Sequence, residues 1–440
     1  MNRRHFFRAS ASPVLAPLLA PVFSPLRMYA QESRKSDQLT ITKVEPYTVR
    51  LPPPAGGGGR AGGPGGRAGG PAGGRAGGGG GGGEGAGGYP CVRIETAEGI
   101  HGWGEGTTPP TTPAVLTQIR ESGKRLMGKS AWDIEGHWVQ MYTSEFNTLG
   151  GTLFAAISAI DMALWDIVGK KLGVPVYKLL GGRAIPANKG VRLYASEPWR
   201  GLPQTREAYR ERTKEIISKG ATGGKTDFFG GTPLDRQLPT QNLNVAREMI
   251  AGIREASPNF DICVEAHAKF NMHSAGRILK MVEPYDVFFV EEPVPPEDVD
   301  AMAFLQASTN VPIATGESLY SQYGFREILA KNGARILQPD LARTGGISAV
   351  KKIAAMAEVH YVNVAPHNPN GPVCTAATLH LCTSIANFSI IEQGNTNTAV
   401  YNDIFAGGWK DSLTEMYVPE TPGLGVDFSP AYLKENATPA

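Results

Sequence analysis

The chain has 440 residues, 41% of them hydrophobic and 19% charged, and a formal net charge of +2. That length suits two structural units with appendages, and the apolar share is enough for a sizeable core, which excludes an intrinsically disordered chain. A charge so near neutrality, with arginines scattered rather than gathered into a stripe, excludes nucleic acid as a partner.

The first thirty residues differ in kind from the rest. Arg3-Arg4 precede His5, Phe6 and Phe7, and a modestly apolar stretch from Ala9 to Phe23 carries no acidic residue. This resembles a twin-arginine export signal and predicts an exported, periplasmic protein; a plain tail with an accidental Arg-Arg is the alternative. The stretch is too short and too proline-broken for a stable membrane span. The four cysteines, Cys91, Cys263, Cys374 and Cys382, have neither the CxxC spacing of a zinc site nor the density of a disulfide scaffold, and read as packed thiols.

From Leu39 an alternating run predicts a half-buried strand, and the run from Cys91 to Thr96 predicts its antiparallel partner. Between them Ala55 to Gly88 is almost entirely glycine, with Ala, Pro, Arg60, Arg67 and Arg75. Such a composition is expected to stay flexible, as an inert spacer or as a lid. After Gly102-Trp103-Gly104-Glu105-Gly106, the spacing of Ala155, Ile157, Ile160, Ala163, Leu164 and Ile167 predicts a helix from Thr152 to Leu180, stopped by Gly181-Gly182. Eight short apolar runs follow: Val191 to Ala195, Gly224 to Asp227, Ile262 to Ala266, Val287 to Glu291, Pro312 to Gly316, Arg335 to Pro339, Val362 to Pro366 and Phe388 to Glu392. Amphipathic segments separate them, so the pattern predicts a parallel (β/α) barrel with its chemistry at the carboxyl ends of the strands.

Three of those ends carry an acid. Glu265, Glu291 and Glu317 stand at equal intervals of 26 residues, one βα unit each, and should converge at one rim. Converging carboxylates repel, and a hard divalent cation relieves the repulsion; an oxygen-only set favours Mg²⁺ over zinc. Asp340 ends the sixth run and His367 follows the seventh, so a carboxylate can orient an imidazole there, as a general base requires. His267 lies two residues beyond Glu265, on the same side of an extended chain.

The stretches Phe289-Val290-Glu291-Glu292-Pro293, Ala314-Thr315-Gly316-Glu317, Gln338-Pro339-Asp340 with Gly345-Gly346, and Pro366-His367 together resemble the enolase superfamily, in its mandelate racemase and muconate-lactonising branch. Within that branch the sequence is similar to sugar-acid dehydratases of the D-galactonate dehydratase kind. The resemblance runs from about Leu39 to Glu392 and includes the Gly-Trp-Gly-Glu turn and the helix that carries Asp161-Met162-Ala163-Leu164-Trp165-Asp166. It implies an α/β fold: an N-terminal α+β capping domain over residues 39–182, a modified TIM barrel of (β/α)7β type over 190–392, and a segment 393–440 that returns to the cap.

The resemblance also implies roles. Mg²⁺ would sit on Glu265, Glu291 and Glu317, although the first ligand in the family is often Asp. His367, oriented by Asp340, would take the α-proton, and His267 would protonate the departing hydroxyl. Glu392 resembles the acid that donates a hydrogen bond to the substrate carboxylate, a role requiring a raised pKa. Lys225-Thr226-Asp227 stands where racemases show Lys-x-Lys, so Asp227 replaces the second base; Lys225 is left to bind the substrate carboxylate, to join the ligand cage or to form an ion pair. The implied activity is Mg²⁺-dependent conversion of a sugar acid into a 2-keto-3-deoxy acid by a homo-oligomer. A racemase, an epimerase or another β-eliminating lyase is the alternative within enzymes. A secreted sugar-acid binding protein is the alternative outside them, and the retention of Glu291, Glu317, Asp340 and His367 argues against it.

Overall fold

The computed structural model describes residues 39–51, 88–106, 112–144, 150–231, 233–393 and 398–440; the expected export signal and the glycine tract up to residue 87 lie outside them. Strands β1 (Ile41–Val49), β2 (Tyr89–Thr96) and β3 (His101–Glu105) form an antiparallel meander. Val49 pairs with Tyr89 and Tyr47 with Cys91, so the glycine tract connects two residues already joined in register. The strand Ala437–Pro439 pairs with the outer edge of β1, which ties the far end of the chain to this sheet.

Helices α1 (Thr112–Lys124) and α3 (Gly151–Leu172) pack on the meander, and α2 (Ile134–Thr143) packs on α3. The helix expected to run to Leu180 ends at Leu172 instead. Gly173 adopts φ 68° and donates back to the carbonyls of Gly169 and Lys170, and a separate turn, Val176–Leu179, follows Pro175. Among the described residues α3 is the one helix long and apolar enough to cross a membrane, yet 83% of its most apolar window is buried inside the fold. It is the core helix of the unit. Its backbone runs directly against β3: a Cβ on Gly104 would strike the carbonyl oxygen of Ala159, and one on Gly102 that of Ala163. The two glycines of the Gly-Trp-Gly-Glu turn are therefore required by close approach of strand to helix.

The rest is a barrel. Strands β4 (Val191–Ser196), β5 (Gly223–Asp227), β6 (Asp261–Glu265), β7 (Phe289–Glu291), β8 (Ile313–Thr315), β9 (Ile336–Leu337) and β10 (Asn363–Val364) pair parallel in chain order, and β11 (Ile391–Gln393) pairs parallel with β4. Val364 bridges to the residues just before β11, with Val364 N donating to Asn387 O and Ser389 N to Val364 O at 2.9 Å each. These bonds close the ring. Tyr194, Cys263, Phe289, Ala314, Ile336, Ala365 and Ile390 pack inside as one buried cluster, a plugged interior that leaves only the rims for chemistry. All four cysteines are free and buried, as packed thiols.

Candidate active site

At the carboxyl-end rim Glu265, Glu291 and Glu317 each offer an oxygen within 4.8 Å of the others. Glu265 and Glu291 are terminal residues of adjacent strands and paired in register, and Glu317 follows β8 by two residues. Glu291 is wholly buried. Burial, and then the nearby charge of Glu265, push its pKa well above the carboxylate range despite the Lys225 ammonium beside it. Glu265 Oε2 is buried with no partner in hydrogen-bond geometry, although Lys225 Nζ lies 3.1 Å from it. Three carboxylates clustered in this way fit a hard divalent cation.

Lys225, on β5, enters the same cluster. Its ammonium donates to both oxygens of Glu291 at 2.9 Å and lies 3.5 Å from Glu392 Oε2. Gln338 Nε2 donates to Glu291 Oε2 at 2.6 Å. Of the three roles open to Lys225, the geometry displays the ion pair, and with three carboxylates rather than one. Glu392, the middle residue of β11, accepts from Ser196 Oγ at 2.7 Å. Burial would raise its pKa, but Lys225 and His367 outweigh burial and hold it below the usual range. The raised pKa required of Glu392 as a hydrogen-bond donor is thus absent from this arrangement, because the group sits between two cations.

His367 Nδ1 lies 2.8 Å from Asp340 Oδ2, and its Nε2 lies 2.8 Å from Glu317 Oε2. Asp340 is fixed in turn: Asn370 Nδ2 donates to its Oδ1 at 2.9 Å, as does the backbone of Ala342 at 2.8 Å. Burial would lower the His367 pKa, but Glu317 and Asp340 raise it well above the ordinary histidine value. The same contact works in reverse on Glu317: burial would raise it, and His367 pulls it below the normal range.

On the other side of the cluster the chain bends sharply after β6. His267 and Ala268 take φ 49° and 52°, left-handed values that non-glycine residues adopt rarely. His267 N donates to Glu265 Oε1 at 2.7 Å, and Ala268 N to Glu292 O at 2.8 Å, which holds the bend. His267 Nδ1 lies 3.3 Å from Asp227 Oδ2. Burial works to lower the His267 pKa, but Glu265, Asp227 and Glu317 raise it to about 9. Asp227 does not stand free as a replacement base, because the buried Lys269 pairs with the same oxygen and also donates to Gly230 O at 2.6 Å. All nine residues singled out in the sequence therefore meet at one rim.

The comparisons agree with this geometry. Residues 208–432 match the family described as enolase C-terminal domain-like, and residues 85–181 match the mandelate racemase / muconate lactonizing enzyme N-terminal domain. A D-galactonate dehydratase from Ralstonia pickettii (strain 12J) is 35% identical over 361 residues, covering 79% of this chain and 91% of that protein. The chain belongs to the enolase superfamily. A D-galactonate dehydratase from Variovorax paradoxus (strain S110) is 37% identical over 303 residues, covering 69% and 77% of the two chains. The crystal structure of a mandelate racemase/muconate lactonizing enzyme from Jannaschia sp. CCS1 superposes with a TM-score of 0.77 at 28% identity, over 91% of this chain and 98% of that one.

Within the superfamily frame, Glu265 in place of the frequent Asp still brings an oxygen into the trio. Sequence reasoning passed over Gln338, Ser196, Asn370 and Lys269, each of which holds a singled-out carboxylate. Gln338 was within reach, since it lies in the stretch that ends in Asp340; Asn370, three residues beyond His367, Ser196 and Lys269 carried no local signal.

Proposed function

We propose that the protein is a divalent-cation-dependent sugar-acid dehydratase that removes the proton next to a carboxylate and expels the β-hydroxyl. The observation that carries this reading is the pair of histidines, each with a carboxylate on Nδ1, placed on either side of the acid trio. Glu265, Glu291 and Glu317 would hold Mg²⁺, favoured by their all-oxygen donor set. The chemistry the ion supplies when bound is neutralisation of the negative charge that grows on the substrate carboxylate as the proton leaves.

The chain's own groups do the rest. Asp340 occupies His367 Nδ1, so Nε2, which pairs with Glu317 in this structure, would be the atom that receives the C2 proton as the C–H bond breaks, once Glu317 serves as a ligand instead. Asp227 occupies His267 Nδ1, which leaves Nε2 to give its proton to the 3-hydroxyl as the C–O bond breaks and water departs. The enol that remains tautomerises to a 2-keto-3-deoxy acid. Racemisation would need a second base, and Asp227 is engaged by Lys269 and His267. D-galactonate dehydratases among the relatives support a sugar acid as the substrate class.

A panel of aldonic and uronic acids, incubated with the protein and Mg²⁺ and assayed for 2-keto-3-deoxy products, tests the reading. A panel member that loses C2 configuration without yielding any keto acid would identify a racemase or epimerase instead. The Arg3-Arg4 leader supports export, and replacing both arginines with lysine should leave the protein in the cytoplasm; unchanged export would reject that route.

A further inference from the structure

Two buried carboxylates of the meander-and-helix unit reach into the barrel at the points where its catalytic loops turn into helices. The helix Pro372–Thr383 begins five residues after His367, and the residue that precedes it as N-cap, Gly371, has no side chain with which to cap it. Glu105, the last residue of β3, supplies the cap from across the molecule. Gly371 N donates to its Oε1 at 2.6 Å, and Val373 N and Cys374 N donate to its Oε2 at 3.2 and 3.1 Å. One carboxylate therefore satisfies three N–H groups that the helix leaves free at its start. The fit is tight from the barrel side as well, because a Cβ on Gly371 would lie 2.9 Å from both oxygens of Glu105.

The partner of His367 is held in the same way. The helix Gly346–Val359 begins six residues after Asp340, and Asp161 Oδ2, on α3, accepts from Ser348 N at 3.1 Å. Ser158, one turn earlier on α3, accepts from Gly345 N and Gly346 N at 2.9 and 3.1 Å, and Trp138 Nε1 of α2 donates to Gly345 O at 2.9 Å. Gly346 has φ 75°, and a Cβ there would collide with Asp161. Burial pushes the pKa of Glu105 and of Asp161 up to about 7, a cost that an apolar residue at either position would avoid.

We propose that Glu105 and Asp161 are positioning residues through which the unit formed by β1–β3 and α1–α3 sets the His367–Asp340 pair. Glu105 fixes the helix that follows His367, and Asp161 fixes Gly346–Val359, which lies just beyond the short turn Leu341–Thr344 that Asp340 itself caps, so the imidazole and its carboxylate are aligned from outside the barrel. The segment between is short and fully tied: Asn368 N donates to Glu392 Oε2 at 3.4 Å, and Asn370 Nδ2 to Asp340 Oδ1 at 2.9 Å. A shift at Gly371 is passed to His367 over four residues with little slack. On this view the Gly-Trp-Gly-Glu turn, the Asp161 helix and the Gly345-Gly346 pair are parts of one device.

The inference rests on the dehydratase reading for the role of His367, and the test separates the two. In full-length protein, Glu105→Gln and, from the opposite side, Gly371→Ala should each lower kcat by about ten- to a hundredfold, as a displacement near 1 Å does. KM and the affinity for Mg²⁺ alone should stay within about threefold, because the acid trio lies on other strands. Amide hydrogen exchange should quicken over residues 367–374 and stay as in the wild type over 261–265 and 289–291. The double variant should be no slower than the slower single one. Quickened exchange with wild-type kcat would overturn the inference, as would unchanged exchange in both variants, a readout that needs no substrate. If His367→Asn kept full turnover on the wild type's substrate, the dehydratase reading itself would fall.

Discussion

His267 and His367 stand four strands apart in either direction around the eight-stranded ring, His267 beyond the end of β6 and His367 beyond the end of β10. Opposite placement gives the two imidazoles access to opposite sides of a substrate held at the axis, which suits a division into base and acid. His367→Asn should abolish both dehydration and exchange of the C2 proton with deuterated solvent. His267→Asn should reduce dehydration by about a hundredfold or more while exchange continues, since proton abstraction does not need it. Proton NMR of a substrate in D₂O reads both. Exchange that survives in His367→Asn but not in His267→Asn would reverse the assignment.

The Lys225 ammonium is shared among Glu265, Glu291 and Glu392, all buried. Removing it with Lys225→Met leaves buried carboxylates without a counter-charge, a change worth about 3–5 kcal/mol of stability in metal-free protein. A cation bound by the trio would restore most of that loss by mass action. Melting temperatures with a chelator and with excess Mg²⁺ should therefore differ far more for the variant than for the wild type. Equal differences would place the ion elsewhere. Glu291→Gln should weaken Mg²⁺ binding by about a hundredfold or more, measured by calorimetry.

Much of this architecture is legible in the amino-acid sequence. The barrel strands announce themselves as apolar runs, and Glu265, Glu291 and Glu317 declare their convergence by equal spacing, because a one-dimensional period encodes a strand-to-strand step. Partnerships across the ring carry no such period. Lys225 finds Glu291 and Glu392, and Lys269 takes Asp227, through distances in sequence that differ for every pair. The end of α3 was misplaced for another reason: the apolar spacing continues into Val176 and Tyr177, while Gly173 and Pro175 between them break the helix.

Gly104, where β3 meets α3, and Gly136 in α2 should respond oppositely to an added methyl group. Gly104→Ala would drive a Cβ into the Ala159 carbonyl, a backbone atom that cannot move aside, and should cost about 3 kcal/mol or more. Gly136, inside α2, faces open space, with only the Asp133 Cβ at 3.9 Å. Gly136→Ala should stabilise by about 0.5–1 kcal/mol through helix propensity alone. Urea unfolding midpoints of the two variants should move in opposite directions, and a neutral Gly104→Ala would contradict the packing described for the Gly-Trp-Gly-Glu turn.

His380 gives the fold a defined sensitivity to acid. It is wholly buried in the helix Pro372–Thr383, its Nδ1 accepts from Tyr177 N at 3.2 Å, and its ring stacks on that of Tyr177 with centroids 6.0 Å apart. Burial lowers its pKa from 6.5 to about 4. Between those values the unfolded chain binds a proton that the folded chain does not, so the contribution is complete above about pH 6.5 and is lost as pH falls toward 4. Between about pH 7.5 and about pH 5 this amounts to about 2 kcal/mol. His380→Gln keeps an acceptor for Tyr177 but cannot titrate, so it should be less stable than the wild type near neutrality and lose less on acidification. Urea unfolding of both proteins at the two pH values measures the difference, and other titrating groups cancel in the comparison. Equal losses in wild type and variant would show that His380 does not acquire a proton on unfolding in this range.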